Sequence, residues 1–144
     1  MSESSLFHVI PQMLVVEHDR IQADAIRSEL GDRPDLRIHI LSDVVNAIRF
    51  LAKRDGFIHA PTPDLILLNL KLPHFPGTAL LQERRWHPSW QTIPVVTLSE
   101  SRADGLPSLA LGATDHVLKP QTSDGWRTLI NLVIARYLPL LTPP

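Results

Sequence analysis

The sequence predicts a doubly wound α/β domain with a five-stranded parallel sheet, and three observations support this prediction. Short apolar runs recur along the chain, segments of helical periodicity separate them, and polar residues suited to a functional site follow several of the runs. A short apolar run bounded by polar or turn residues is typical of a parallel strand buried on both faces. Strands that alternate with helices form βαβ units with right-handed crossovers, and the helices then cover both faces of the sheet.

The apolar runs predict strands at 12–16, 36–41, 65–68, 93–98 and 115–118. Helical spacing predicts helices at 21–30, 44–52, 78–86 and 124–137, with Thr122, Ser123 or Asp124 capping the last one. Between the fourth and fifth strands, Gly105 and Pro107 both disfavour a helix interior. We therefore expect the helix in that segment to be short or irregular.

The length and composition suit one folded domain. The chain has 144 residues, 44% of them hydrophobic and 20% charged, with a formal charge of -1 and a pI near 6.6. A chain with this charge is not expected to have the basic surface that phosphate contacts require. We therefore expect no nucleic-acid partner. We expect a single domain over 1–144, with its core at about 12–137 and an apolar tail at 138–144.

Cysteine usage and the terminal segments bear on location. The chain contains no cysteine, so it has neither a disulfide framework nor a thiolate metal site. Residues 1–11 lack the basic and apolar regions of a signal peptide, and no apolar run approaches membrane-spanning length. We therefore expect a cytoplasmic protein with no membrane partner.

Polar residues at the carboxyl ends of the predicted strands are the candidate site. In doubly wound sheets, functional groups collect outside these ends, where the strand order reverses. The residues found there are Glu17, His18, Asp19, Asn69, Ser99 and Lys119. We expect these six side chains to form one pocket.

Several segments match the landmarks of one known family in order and approximate spacing. Together they are more specific evidence than any one segment alone. They are Val-Val-Glu17 after the first strand, 63–73 across the third strand, Phe75-Pro-Gly77, 93–99 ending in Ser99, and 112–120 with Lys119-Pro120. From 12 to about 137, the chain resembles the receiver domains of bacterial response regulators. The resemblance implies a flavodoxin-like fold. The long segment 54–63 also resembles the single-domain regulators that accompany phytochrome-type histidine kinases.

Asn69 stands where the family has its phospho-acceptor. In that family, an aspartate ending the third strand takes a phosphoryl group from a phosphohistidine or a small phosphodonor, because a carboxylate oxygen is the nucleophile. A neutral carboxamide is a much weaker oxygen nucleophile, and its adduct would not be an acyl phosphate. Asp64 lies at the start of the same strand, about 16 Å away at the rise of a strand, and cannot substitute. The resemblance therefore implies a pseudo-receiver that is not phosphorylated.

The metal site implied by the family is also altered. The family holds Mg²⁺ with two adjacent acidic residues after the first strand and with the acceptor. Here the pair reads Glu17-His18, and histidine is a poor Mg²⁺ ligand, so we expect no cofactor beyond weak Mg²⁺ at Glu17, unless Asp19 joins it. A transition ion held by His18 with Glu17 or Asp19 is an alternative, although the seven histidines lack a paired ligand spacing.

Three further positions match the family pattern. Lys119 resembles the lysine that neutralises the phosphoryl group, and Ser99 resembles the hydroxyl residue that bonds it. Without a phosphoryl group, we expect Lys119 to pair with Glu17 or Asp19 and to bond the Asn69 amide oxygen. His116 stands at the family's aromatic switch position, where an imidazole could respond to pH, or it is an ordinary strand histidine.

Three functions remain open. The first is a protein-interaction module of signal transduction that is neither an enzyme nor phosphorylated, with a histidine kinase or its target as partner. The second is a phosphorylation-competent regulator that uses another residue. The third is an enzyme or a small-ligand-binding α/β protein, although the chain has no Gly-x-Gly-x-x-Gly, P-loop or nucleophile-elbow motif.

The final helix and tail carry more apolar residues than one buried stripe requires. Trp126, Leu129, Ile130, Val133 and Tyr137 follow helical spacing and can cover the sheet. Leu132, Ile134, Leu138 and Leu141 lie off that stripe or after the helix, and we expect them to form an exposed patch. The patch predicts a symmetric homodimer through the last helix and its tail.

Overall fold

The computed structural model describes residues 10–30 and 33–138, and these form a five-stranded, all-parallel sheet covered by helices. The strands are β1 (Gln12–Val16), β2 (Arg37–Leu41), β3 (Leu65–Asn69), β4 (Val95–Ser99) and β5 (Asp115–Leu118). The helices in the described residues are α1 (Arg20–Leu30), α2 (Val44–Ala52), α3 (Thr78–Arg84), α4 (Pro88–Gln91), α5 (Arg102–Ala110) and α6 (Ser123–Tyr137). The order β2-β1-β3-β4-β5 is the flavodoxin-like arrangement. The predicted fold is confirmed.

Two apolar cores lie on the two faces of the sheet. Successive side chains of a strand point to opposite faces, so Met13 and Val15 pack in the core under α1 and α6. Leu14 and Val16 pack in the other core, under α2, α3 and α4. This burial on both faces explains why the central strands are continuous apolar runs instead of alternating ones.

The strand register brings the polar residues together. Val16 of β1 pairs with Leu68 of β3, so the next residues, Glu17 and Asn69, lie at the same level. On the other side, Ser99 of β4 pairs with Leu118 of β5, and Lys119 follows directly. All these positions are at the carboxyl end of the sheet.

Helix α5 differs from the expected short or irregular helix. It is a continuous helix of nine residues, capped by Ser101, whose hydroxyl accepts a hydrogen bond from Asp104 N. Pro107 is tolerated on the exposed side, while Gly105 is buried where the helix contacts the sheet. The contact with the sheet therefore outweighs the low helix propensity of these two residues.

Two of the residues expected at an exposed interface are buried instead. Ile134 and Leu138 are buried in the core under α1 and α6, at 2% and 4% exposure, so they are not part of an exposed patch. Leu132 is exposed as expected, at 58%, and Leu141 lies outside the described residues. The buried stripe on α6 is wider than its helical spacing suggested, because it also includes Ile134.

Candidate functional site

A cleft of about 710 Å³ lies at the carboxyl ends of the strands. Five of the six predicted pocket residues line it: His18, Asp19, Asn69, Ser99 and Lys119. The sixth, Glu17, is buried and is bonded to three of the five. The cleft thus lies where the order of the sheet reverses, between β1 and β3, as expected for a doubly wound fold.

Glu17 is the centre of the pocket. Its Oε1 lies 2.8 Å from Lys119 Nζ, and the two side chains are 1% and 7% exposed. Its Oε2 accepts hydrogen bonds from Asn69 Nδ2 at 2.9 Å and from Asp19 N at 3.2 Å. A buried ion pair is stable where further hydrogen bonds satisfy the remaining lone pairs. In Glu17, Oε2 is therefore held by hydrogen bonds and Oε1 by the ion pair with Lys119.

Asn69 is fixed by its own loop as well as by Glu17. Its Nδ2 also donates to Lys71 O at 2.9 Å, and Lys71 N donates to Asn69 Oδ1 at 3.4 Å. The bond expected from Lys119 to the Asn69 amide oxygen does not occur in the described residues. Lys119 binds the carboxylate of Glu17 instead, because an ionised oxygen is the stronger acceptor.

The two residues after Glu17 line the cleft and make different contacts. His18 is exposed, and its Nδ1 lies 3.7 Å from Glu17 Oε2. Asp19 caps α1: its Oδ1 accepts hydrogen bonds from the backbone N–H groups of Ile21 and Gln22 at 2.9 and 3.2 Å. Such a cap satisfies N–H groups that have no partner within the helix.

These residues do not fit the Mg²⁺ site implied by the resemblance. Hard cations require several oxygen ligands, yet Glu17 is bound to Lys119 and Asn69 turns its NH₂ group toward it. Asp19 is engaged as a helix cap. Across residues 10–30 and 33–138, no three His, Cys, Asp or Glu side chains form a group that could hold a metal ion.

Ser99 and His116 form a second polar contact beside the cleft. His116 Nε2 lies 2.6 Å from Ser99 Oγ, and Ser99 Oγ donates to Ser101 O at 2.6 Å. Burial lowers the pKa of His116; the Asp115 carboxylate opposes this shift, and Arg102 adds to it. His116 is thus half-buried and hydrogen-bonded to Ser99.

Sequence reasoning missed two glycines that shape this region. A Cβ at Gly77 would overlap the Asn69 carbonyl oxygen, and Gly77 N donates to Leu70 O at 2.9 Å, which closes the loop after β3. A Cβ at Gly105 would overlap the His116 ring. The Phe75-Pro-Gly77 turn could have indicated the first, whereas Gly105 was interpreted only as a helix breaker.

Comparison with known proteins places this architecture in a family. A family model described as the response regulator receiver domain matches residues 13–131. The chain belongs to this family. Receiver domains interact with histidine kinases and other proteins. This receiver domain therefore acts in signal transduction. No helix in the described part of the chain is long and apolar enough to span a membrane.

The relatives of this receiver domain include single-domain regulators. Response regulator Rcp1 of Synechocystis is 27% identical over 135 residues, which are 92% of each protein. The crystal structure of Mn²⁺-bound Rcp1 matches with a TM-score of 0.80 and 27% identity, covering 93% of this chain and 99% of that one. The phosphorylated cyanobacterial phytochrome response regulator RcpA has a TM-score of 0.83 and 26% identity, covering 93% and 98%. The predicted likeness to phytochrome-associated regulators is confirmed.

Proposed function

We propose that this receiver domain is a protein-interaction module that signals without being phosphorylated and has no enzymatic activity. The observation that carries the proposal is the hydrogen bond from Asn69 Nδ2 to Glu17 Oε2, at 2.9 Å. It places an amide where the chemistry of phosphoryl acceptance requires a carboxylate oxygen. The same Glu17 carboxylate also occupies Lys119, the cation that would meet an incoming phosphoryl group.

Other acidic residues are poorly placed to take over as acceptor. Asp19 is held by the two backbone N–H groups that it caps. Asp64 lies before β3, where its Oδ2 accepts from Gln12 N at 2.8 Å, at the end of the sheet opposite the cleft. A regulator that uses another residue remains the second candidate, and the same experiment tests it.

A weak divalent-cation site also supports the proposal. Rcp1 binds Mn²⁺ and RcpA is phosphorylated in their crystal structures. In the present chain, Asp19 caps α1, and the buried carboxylate of Glu17 is paired with the Lys119 ammonium. A metal ion would have to displace that ammonium, so we propose that Mg²⁺ binds weakly at most.

Exposed leucines around β5 supply a surface for a protein partner. Leu106 and Leu109 of α5, Leu118 of β5 and Leu132 of α6 are exposed, and we call these four residues the β5 edge patch. Leu132 lies four residues before Arg136, which approaches Asp115 of β5 at 3.8 Å, so it is on the side of α6 that faces β5. We propose a histidine kinase, its target or a second copy of this chain as the partner.

Intact-mass measurement after incubation with acetyl phosphate tests the proposal. We expect no added phosphoryl group with Mg²⁺ or with Mn²⁺, and a stable adduct at any residue would refute the proposal. Asn69→Asp alone should restore little phosphorylation, because the metal site is still incomplete. Asn69→Asp with His18→Asp should restore more, since this variant adds oxygen ligands at both altered positions. Equal phosphorylation of the two variants would contradict the expectation that residue 18 contributes a ligand to the metal site.

A further inference from the structure

The outer edge of strand β2 is open. β2 stands at one end of the strand order and pairs, within the described residues, with β1 alone. Arg37 N donates to Pro11 O at 2.9 Å, so the backbone groups of Arg37 face β1. Along a strand of a parallel ladder these groups turn to alternate sides, so those of Ile38 and Ile40 face outward. In the described part of the chain, the backbone N–H and C=O groups of both isoleucines lack a hydrogen-bond partner.

The opposite edge of the sheet is protected in a way that β2 is not. At β5, Lys119 N donates to Ser99 O, so the N–H of His116 faces outward. This N–H donates to the carboxylate of the neighbouring Asp115, at 2.8 Å. Proteins commonly block sheet edges with charged residues, prolines or bulges, because unpaired backbone groups attract another strand. β2 has one charged residue, Arg37 at its first position, and no proline.

An apolar groove of about 420 Å³ lies beside the open edge. It is lined by three residues of β2, one residue of α2 and the loop that follows α2: His39, Ile40, Leu41, Phe50 and 56–61. The ring centroid of Phe57 lies 5.7 Å from that of Phe50, which lies 5.1 Å from that of His39. Ile58 of the same loop is exposed. We call this groove, together with the outward backbone groups of Ile38 and Ile40, the β2 edge groove.

The loop that forms one wall of the groove is held by its own contacts. Lys53 Nζ donates to the carbonyl of Ala60 and so bridges the two ends of the loop. Within the loop, Phe57 N donates to Arg54 O at 3.0 Å, and Ala60 N donates to Phe57 O at 2.9 Å. A site that is formed before its partner arrives loses less conformational entropy on binding. The groove therefore needs little rearrangement to accept a side chain.

The charge around the groove is positive. Arg37 and Arg54 are exposed, and neither forms an ion pair with another described residue. The acidic residues nearest to them in sequence, Asp35 and Asp55, are each paired with a different arginine, at 3.6 and 3.8 Å. Burial, and after it the charge of Arg37, lowers the pKa of His39, so this charge acts at the groove itself. Charge complementarity therefore favours an acidic occupant.

We propose that the β2 edge groove is a docking site for an extended acidic segment of a partner protein. The segment adds a strand to the sheet by pairing with the backbone of Ile38 and Ile40. Because the side chains of a strand alternate between its two faces, an apolar side chain of the segment enters the groove beside Phe57. Carboxylates of the segment pair with Arg37 and Arg54. This site lies at the opposite edge of the sheet from the β5 edge patch and requires no phosphorylation.

Titration of the full chain with a synthetic peptide, followed by NMR without any phosphodonor, tests this proposal. The probe is an acetylated and amidated peptide in which valine and threonine alternate, with glutamates at both ends. We expect amide exchange of Ile38 and Ile40 to slow by about tenfold when the free peptide is at about nine times its Kd, because only the peptide-free fraction exchanges. The amides of His39 and Leu41, which face β1, should change much less.

Two control peptides separate strand pairing from general attraction. The first carries N-methyl groups on the amides that would face β2, so it keeps the side chains and charges but cannot donate hydrogen bonds to the edge. The second has lysines in place of the glutamates. Each should bind about tenfold more weakly than the probe, because one loses the backbone hydrogen bonds and the other is repelled by Arg37 and Arg54.

A pair of charge-reversal variants tests the position of the site. Arg54→Glu should weaken binding of the acidic probe by about tenfold, because it places a carboxylate beside the groove. Arg102→Glu is the matched control, since Arg102 is also exposed but lies on α5, toward the other edge of the sheet. This variant has the same net charge as Arg54→Glu and should bind the probe like the wild-type protein.

Several results would overturn the proposal. They include an N-methylated peptide that binds as tightly as the probe, equal weakening by Arg54→Glu and Arg102→Glu, and a probe that does not bind at about 1 mM. Amides of Ile38 and Ile40 that are already protected in the peptide-free protein would also contradict it. Protection that rises with protein concentration would assign the edge to a second copy, and protection independent of concentration would assign it to another part of the same chain.

Discussion

Asn69 Nδ2 donates a 2.9 Å hydrogen bond to Glu17 Oε2, so an amide and a carboxylate face each other at the carboxyl ends of β1 and β3. An amide can donate this bond, whereas an ionised aspartate can only accept. Lys119 neutralises the same carboxylate from the other side. One hydrogen bond and one ion pair thus join the three side chains, so each of them contributes to stability.

Replacing Asn69 by aspartate should destabilise the protein when divalent cations are absent. Asn69→Asp removes the donor to Glu17 and places two carboxylates in contact, so we expect the free energy of unfolding to fall by about 1–3 kcal/mol. Urea denaturation in the presence of EDTA measures this change. Millimolar Mg²⁺ should recover part of the loss in the variant and leave the wild-type protein unchanged. Equal stability of the two proteins in EDTA would contradict the role of this bond.

Removing the cation of the pocket should be more costly. Lys119→Met leaves Glu17 buried without its counter-ion, and loss of one partner of a buried pair typically costs about 3–5 kcal/mol. Glu17→Gln in the same chain removes the unpaired charge, so the double variant should be more stable than the sum of the two single losses predicts. A double-mutant cycle by urea denaturation gives the coupling. Strictly additive losses would show that the ion pair contributes nothing.

Local patterns were sufficient to predict the sheet and the six pocket residues. Each strand is a short apolar run, and the parallel topology then requires that residues after those runs, such as Glu17 and Asn69, meet at one edge. The bounds of β1 and β5 agree with the prediction residue by residue. The separate helix α4 was missed, because its single turn, Pro88–Gln91, is too short to show helical spacing.

Three details were not predicted from these patterns. Asp19 lies two residues after Glu17, yet its side chain accepts hydrogen bonds from the first turn of α1. Leu138 follows the last helix, yet it is buried in the core. Gly105 has a low helix propensity, but the neighbouring His116 ring explains its place in α5. Asp19 is held by backbone N–H groups of α1, and the positions of Leu138 and Gly105 are explained by contacts with other elements.

Stability should decrease as the solution is acidified below neutral pH. Burial lowers the pKa of both His39 and His116, and Arg37 and Arg102 respectively contribute to the shifts. A histidine whose pKa is lower in the folded state contributes fully above its unfolded pKa, near ~6.5, and the contribution is lost as the pH falls below that value. Urea denaturation between about pH 8 and about pH 5 should show this decline. The variant His39→Phe with His116→Phe should show a smaller decline, and an unchanged slope would be evidence against both assignments.

The β5 edge patch predicts a homodimer that forms without phosphorylation, because its four leucines are exposed on α5, β5 and α6, and exposed apolar residues grouped in this way are typical of an interface. Light scattering across micromolar concentrations should give the mass of a dimer, and Leu132→Glu should convert it to a monomer with a native circular dichroism spectrum. Ile58→Glu is the matched control, since Ile58 is 70% exposed but lies in the loop before β3, away from the patch. Leu138→Glu should instead unfold the protein, because Leu138 is buried in the core. A wild-type protein that is monomeric at every concentration would refute the dimer, and the patch would then be available to a different protein.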